Sequence, residues 1–195
     1  DLIRGLYGDG VMVAVQSIAR GNAKTATAAA IALSELMGIT DPQPKREIIF
    51  AARNRDQSRV AFNLMLGLIE SLPDAERELF TIRRGSRLEV EYSGNGGGLA
   101  RCIAADAKSI LGGAPTFIVM DERAAWEVAK GDNLENATSS GLGNRDGRAL
   151  IISTAAPNDA NTFSRWIDEP PPGTYVQEHR PPSGLPADDL DSLLI

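Results

Sequence analysis

The chain has one cysteine and one histidine in 195 residues. A single thiol excludes an internal disulfide and a zinc centre built on cysteines. Cys102 therefore reads as a small buried hydrophobe in a strand. His179 lies near a proline-rich end with no cluster of ligand-type side chains around it, so a surface position is expected. Aromatic residues make up only 5% of the chain and are scattered, which leaves no stacking platform for single-stranded nucleic acid. Basic charge is also short: 20 Lys and Arg stand against 26 Asp and Glu, for a net charge of −6. That argues against tight DNA binding by bulk electrostatics and leaves room for a local basic patch. No apolar run reaches membrane-spanning length and no signal-peptide pattern opens the chain, so a cytoplasmic protein is the default expectation. The chain begins at Asp1 without a methionine, as a fragment or a processed product would.

What is present is ordinary for a globular domain: 43% hydrophobic and 24% charged residues, in a length that suits one full core or one core plus a tail. Apolar runs at 11–16, 47–52, 116–120 and 149–153 read as strands, the last three without an alternating pattern. Such strands are buried on both faces, as in parallel sheets. Helical spacing covers 24–37, closed by Gly38, and 56–72, with Val60, Ala61, Leu64, Leu68 and Ile69 on its apolar face. The first of these helices is expected to turn Ala26, Ala28, Ala29, Ala30, Ile31 and Leu33 inward. Segments 79–83 and 87–92 predict a β-hairpin, and the Gly-rich run 93–98 a flexible connection to a strand at 99–104. Further elements are a short helix at 1–7, a loop at 105–114, helices at 133–142 and 161–168, a turn at 144–147 and an edge strand at 174–178. Strands that alternate with helices define an α/β fold with a mainly parallel sheet and helices on both faces. Residues 1–180 are expected to form the domain and 181–195, rich in Pro and Asp, a linker or tail.

Three polar clusters each follow a buried strand, and in open parallel sheets the carboxyl ends of strands share one crevice. The first is residues 17–25, SIARGNAKT, which opens the Ala-rich helix. That helix carries Arg20 and Lys24 at its start and no acid until Glu35. Cations at the positive end of a helix dipole make sense if an anion sits among them. Strand, loop, Lys-Thr and helix is a phosphate-cradling layout, with Lys24 on phosphate and the Thr25 hydroxyl on Mg²⁺. Ile18 and Ala23 replace the two glycines of the usual loop pattern, so the plain alternative is a strand–helix turn. If Ala23 needs positive φ, it costs about 1 kcal/mol relative to Gly. The second cluster is Asp121-Glu122. A carboxylate at the tip of a buried strand is expensive unless wet, paired or metal-bound. Asp121 suits Mg²⁺ and Glu122 suits a water-positioning base; two solvated acids are the plain alternative. In the third cluster, Ser153 and Thr154 offer hydroxyls to a γ-phosphate or simply cap a turn.

The runs SIARGNAKT (17–25), RNRDQSRVAFN (53–63), VMDERAAW (119–126) and ISTAAPND (152–159), in this order and spacing, resemble the large terminase subunit of tailed double-stranded DNA bacteriophages. The likeness covers nearly the whole chain and only the family's N-terminal ATPase domain. It gives no counterpart to the family's nuclease domain, so no nuclease activity is expected; Asp188, Asp189 and Asp191 belong to the tail. The resemblance implies an additional-strand, RecA-like P-loop ATPase that packages viral double-stranded DNA into a procapsid. It implies a homo-oligomeric ring working with the portal and the small terminase subunit in the host cytoplasm, with ATP and Mg²⁺ as cofactors and no membrane. Such terminases often carry Arg four residues before the Lys, where Arg20 stands, and usually keep Gly where Ala23 stands.

By that resemblance the nucleotide-binding set is Ser17, Ala19, Arg20, Gly21, Asn22, Ala23, Lys24 and Thr25. Thr25 and Asp121 hold the metal. Glu122 is the catalytic carboxylate, supported by Arg20 and Lys24. Ser153 and Thr154 form the coupling motif. A basic residue from a neighbouring subunit completes the site, with Lys108 and Arg101 as candidates. Two other classes remain open at this stage: a non-catalytic DNA-clamp or assembly module, motivated by Ala23, and a helicase-like ATPase.

Overall fold

The computed structural model describes residues 1–84, 88–104, 114–126, 142–143, 145–156, 158 and 161–179. Five helices and eight strands are defined among them: α1 Leu2–Leu6, β1 Val13–Ser17, α2 Lys24–Met37, β2 Arg46–Ala52, α3 Arg55–Glu70, α4 Asp74–Arg77, β3 Phe80–Arg84, β4 Leu88–Tyr92, β5 Gly98–Ala104, β6 Phe117–Asp121, β7 Arg148–Ser153, α5 Thr162–Asp168 and β8 Thr174–Glu178. One 3₁₀ turn, Arg123–Ala125, follows β6.

All eight strands join one sheet in the order β3-β4-β5-β2-β6-β7-β1-β8. From β5 to β8 every pairing is parallel. The β3–β4 hairpin adds to β5 antiparallel. The continuous apolar runs are buried as their composition demands: every residue of β6 is buried, as are all but the first of β7. α2 and α3 pack on one face, where Ala28, Ala29, Ala32, Leu36, Phe62 and Met65 meet Ile48, Phe50 and Val119. On the other face Phe163 of α5 joins Val15, Ile49, Ile118, Met120 and Ile151.

Local chemistry sets the element ends. Asn54 caps α3, its side chain accepting from the Gln57 N–H at 2.9 Å, with Asp56 in the first turn favouring the dipole. Gly38 ends α2 in the left-handed conformation, φ +68°. Its N–H and that of Ile39 return to the Glu35 and Ser34 carbonyls, the two-bond closure of a Schellman cap. Strand β8 pairs with β1 at the sheet edge, as expected.

Several expectations need correction. β1 starts at Val13 rather than residue 11 and runs through Ser17, because its pairing begins at Ala149 of β7 and at Thr174, the first residue of β8, and its polar end residues pair on both sides. Ala26 and Ala30 of α2 face solvent, while Ala32 is buried. On α3 the buried stripe is Ala61, Phe62, Met65, Leu66 and Ile69, whereas Val60, Leu64 and Leu68 are exposed. That helix carries apolar residues on more than one side, so spacing alone named Ala61 and Ile69 of the buried stripe together with three exposed residues. Short α4 carries no buried residue and so no periodic signal. All but the last residue of the expected loop at 105–114, most of the helix at 133–142 and the tail at 181–195 lie outside the described residues.

Candidate functional site

The crevice is built at the carboxyl ends of β1, β6 and β7. β1 ends at buried Ser17, and the next N–H, Ile18, donates to the Ser153 carbonyl at 3.2 Å. β1 and β7 therefore terminate at the same level. The loop that follows is exposed from Ala19 to Ala23. Gly21 and Ala23 both have positive φ, +84° and +53°. Ala23 does occupy the strained conformation that glycine would adopt without cost. The Asn22 amide closes the loop on the Ala19 and Arg20 carbonyls at 3.2 and 3.3 Å. α2 then starts at Lys24 with no side-chain cap and no acid in its first turn. Its unpaired first-turn N–H groups and positive dipole end thus need an acceptor from elsewhere.

Lys24 is buried although charged, and its Nζ lies 2.9 Å from Glu122 Oε1. Glu122 follows β6 in the left-handed region, φ +50° and ψ +47°, which aims its carboxylate back across the crevice. Its other oxygen, Oε2, accepts from Thr154 through the backbone N–H at 3.5 Å and the hydroxyl at 3.4 Å. Beside this pair, the Thr25 hydroxyl donates to Asp121 Oδ2 at a long 3.5 Å. Asp121 Oδ1 is buried with no partner among the described residues. Burial above all, and then the neighbouring Glu122 charge, push the Asp121 carboxyl up to about 6, against the pull of Lys24. An orphaned buried carboxylate oxygen beside a hydroxyl is the hard-oxygen donor set that a divalent cation accepts.

The three sequence clusters therefore do converge. Lys24 and Thr25 face Asp121 and Glu122, and Thr154 reaches Glu122. Ser153 is fully buried, and its Oγ accepts from the Ala124 N–H at 3.0 Å. It supports the backbone behind the acids. Arg20 is exposed. Arg101 bonds Glu47 through Nη2 at 2.6 Å and Nε at 2.9 Å, on β5 and β2. Lys108 lies outside the described residues. A cavity of about 530 Å³, lined by Lys45, Thr81, Glu91 and Gly97 among others, opens at the other ends of β2 and β5, away from this chemistry.

Two contributors were not legible in the sequence. Trp126 Nε1 donates to the Asp121 carbonyl at 3.0 Å, and Asn161 Nδ2 to the Ala124 carbonyl at 3.0 Å. Both act through contacts that no local pattern encodes.

A mainly parallel eight-stranded sheet with helices on both faces is the RecA-like P-loop architecture, and the fold of known proteins agrees. The chain belongs to the terminase large subunit ATPase domain family, whose model matches residues 9–165. It is 28% identical over 176 residues to the terminase large subunit of Enterobacteria phage HK97, covering 87% of this chain and 33% of that protein. The crystal structure of the HK97 large terminase superposes with a TM-score of 0.78 at 27% identity, over 100% of this chain and 41% of that one. The large terminase ATPase domain of Thermus phage P74-26 has the same fold, with a TM-score of 0.69 at 20% identity, over 91% of this chain and 79% of that one. So does the large terminase of a thermophilic bacteriophage in complex with ADP, with a TM-score of 0.65 at 11% identity, over 91% of this chain and 44% of that one. The chain spans about a third of the length of its HK97 relative. Among the described residues, no helix is long and apolar enough to cross a membrane.

Proposed function

We propose that this domain hydrolyses ATP with Mg²⁺ and that the hydrolysis drives viral double-stranded DNA into a procapsid. The observation that carries the reading is Lys24 buried at the mouth of α2 and paired at 2.9 Å with Glu122. A buried lysine with one carboxylate partner is a cation prepared for exchange. When phosphates enter among the loop N–H groups, Lys24 turns to them and Glu122 is released. Glu122 then orients a water toward the γ-phosphate and takes its proton. Thr25 and Asp121 are the residues that would hold Mg²⁺, which supplies charge neutralisation to the phosphates. Thr154, already bonded to Glu122, would pass the change in Glu122 to β7 and the chain beyond it. Arg20, exposed on the loop, would meet a phosphate. The ADP complex of the thermophilic phage protein supports nucleotide binding by this fold. Residues 1–180 would be the ATPase unit and 181–195 its tail. The working assembly would be a homo-oligomeric ring that meets the portal and the small terminase subunit.

The test is phosphate release from the intact protein with double-stranded DNA present. Lys24→Ala should lower turnover by at least about 100-fold, and Glu122→Gln should retain nucleotide binding while losing comparable turnover. Wild-type rates in both variants would remove this crevice from the reaction.

A further inference from the structure

The segment that carries the acids is held from two sides at one residue. The Ala124 N–H donates to Ser153 Oγ, at the end of β7, at 3.0 Å. The Ala124 carbonyl accepts from Asn161 Nδ2, at the start of α5, at 3.0 Å. The same Asn161 side chain accepts the Phe163 N–H through Oδ1 at 2.9 Å and so caps α5. Each end of this amide has a partner of opposite kind. Flipping it would set N–H against N–H and oxygen against carbonyl, so its orientation is determined. Two residues before Ala124 stands Glu122, left-handed at φ +50°. A non-glycine residue keeps such a backbone only where its surroundings over-determine it.

We infer that Asn161 is a positioning residue for Glu122: one amide ties the start of α5 to the turn that aims the carboxylate at Lys24. This rests on the ATPase reading above. Asn161 acts through the Ala124 carbonyl, and α5 thereby becomes a wall of the site. Phe163, buried in the core beside Met120 and Ile151, anchors α5 to the sheet, so the tether ends on a fixed body. The coupling also runs outward: a shift of Glu122 on nucleotide binding pulls on the α5 cap.

The two functions of the amide separate by substitution. Asn161→Asp keeps an acceptor for the Phe163 N–H, since Asp is a good helix cap, and removes the amide donor to the Ala124 carbonyl. Asn161→Ala removes both. In the intact protein with double-stranded DNA, Asn161→Asp should lower kcat by about tenfold to a hundredfold. Its KM for ATP and its affinity for a non-hydrolysable ATP analogue should stay within about twofold, as expected for a group that aims the carboxylate without binding nucleotide. Amide exchange should quicken over residues 122–126 and stay unchanged over α2. Asn161→Ala should match that kcat and also lower the Tm. Should Asn161→Asp fold poorly, Asn161→Ser serves, because its hydroxyl can cap and is too short to reach Ala124. A kcat for the capping variants equal to wild type would reduce Asn161 to a cap and overturn the inference, as would an equal loss of nucleotide affinity. Lys24→Ala separates the two levels. If it abolishes turnover while Asn161→Asp does not lower it, only the tether falls. If it leaves turnover intact, the ATPase reading falls and the tether's role falls with it.

Discussion

At its C-terminal end α2 has its carbonyls met by side chains of the same domain. Its last carbonyls accept from buried Arg46, through Nε to Leu36 O at 3.0 Å, and from Asn95, through Nδ2 to Met37 O at 3.2 Å and Gly38 O at 3.1 Å. Buried Glu35 takes the Tyr7 hydroxyl. Glycine occupies the left-handed position. At its N-terminal end the same helix starts from a left-handed alanine, with no cap, no first-turn acid and a buried cation. One end has its helix carbonyls met from within the chain, by Asn95 and by an Arg46 whose Nη2 is itself buried without a partner among the described residues. The other leaves N–H groups, a strained residue and an orphaned carboxylate oxygen, and so is prepared for something that arrives from outside.

The contrast predicts that substitutions at the two ends move different quantities. The largest stability effect belongs to the closed end. Tyr7→Phe removes the donor to Glu35 Oε1 and leaves a buried carboxylate short of a partner, which costs about 1–3 kcal/mol. Chemical denaturation should show that loss while turnover per folded molecule stays at the wild-type level. A drop in turnover with unchanged stability would invert the assignment of the two ends. Ala23→Gly comes next. Relief of the left-handed alanine should raise stability by about 1 kcal/mol, with Lys24-dependent phosphate release retained. A destabilised glycine variant would mean that Ala23 is not strained.

The smallest effect is a slope. Burial raises the Glu35 carboxyl above its ordinary 4.5, against the Tyr7 and Thr40 hydrogen bonds, with Asp41 adding to the rise and Arg148 opposing it. A raised acid binds more protons folded than unfolded. Its contribution is therefore whole below the ordinary value and is lost as pH climbs through the raised one. Unfolding measured across that range should show Glu35→Gln gaining on wild type as pH rises. Parallel curves would show that Glu35 is not held in this way.

The closed and open ends were unequally legible in the sequence. The open end announces itself: cations at a helix start, a Lys-Thr pair and acids at the tip of an apolar strand are short-range patterns. The rule that parallel strands deliver their ends to one crevice brought them together. What lay hidden was long-range. Arg46 stands at the head of an apolar strand and looks like a surface charge, yet it is buried because its guanidinium serves the end of a helix ten residues earlier. The Tyr7–Glu35 pair joins residues 28 apart. On α3, Val60, Leu64 and Leu68 satisfy helical spacing as well as the buried stripe does, and only the partner surface decides between them. The left-handed turn at Glu122 has no signature at all, since glutamate is not a residue that favours it.

The matched ends of β1 and β7 have a further consequence. Ser17 lies in register with Ser153, and both strands are sealed in the interior of the sheet, where a one-residue slip would reverse every side chain. The height at which lysine and acids meet is thus dictated by the scaffold beneath them. The loop sequence above is released from that duty, and this explains how an isoleucine and an alanine can stand where glycines are customary without displacing the charges they serve.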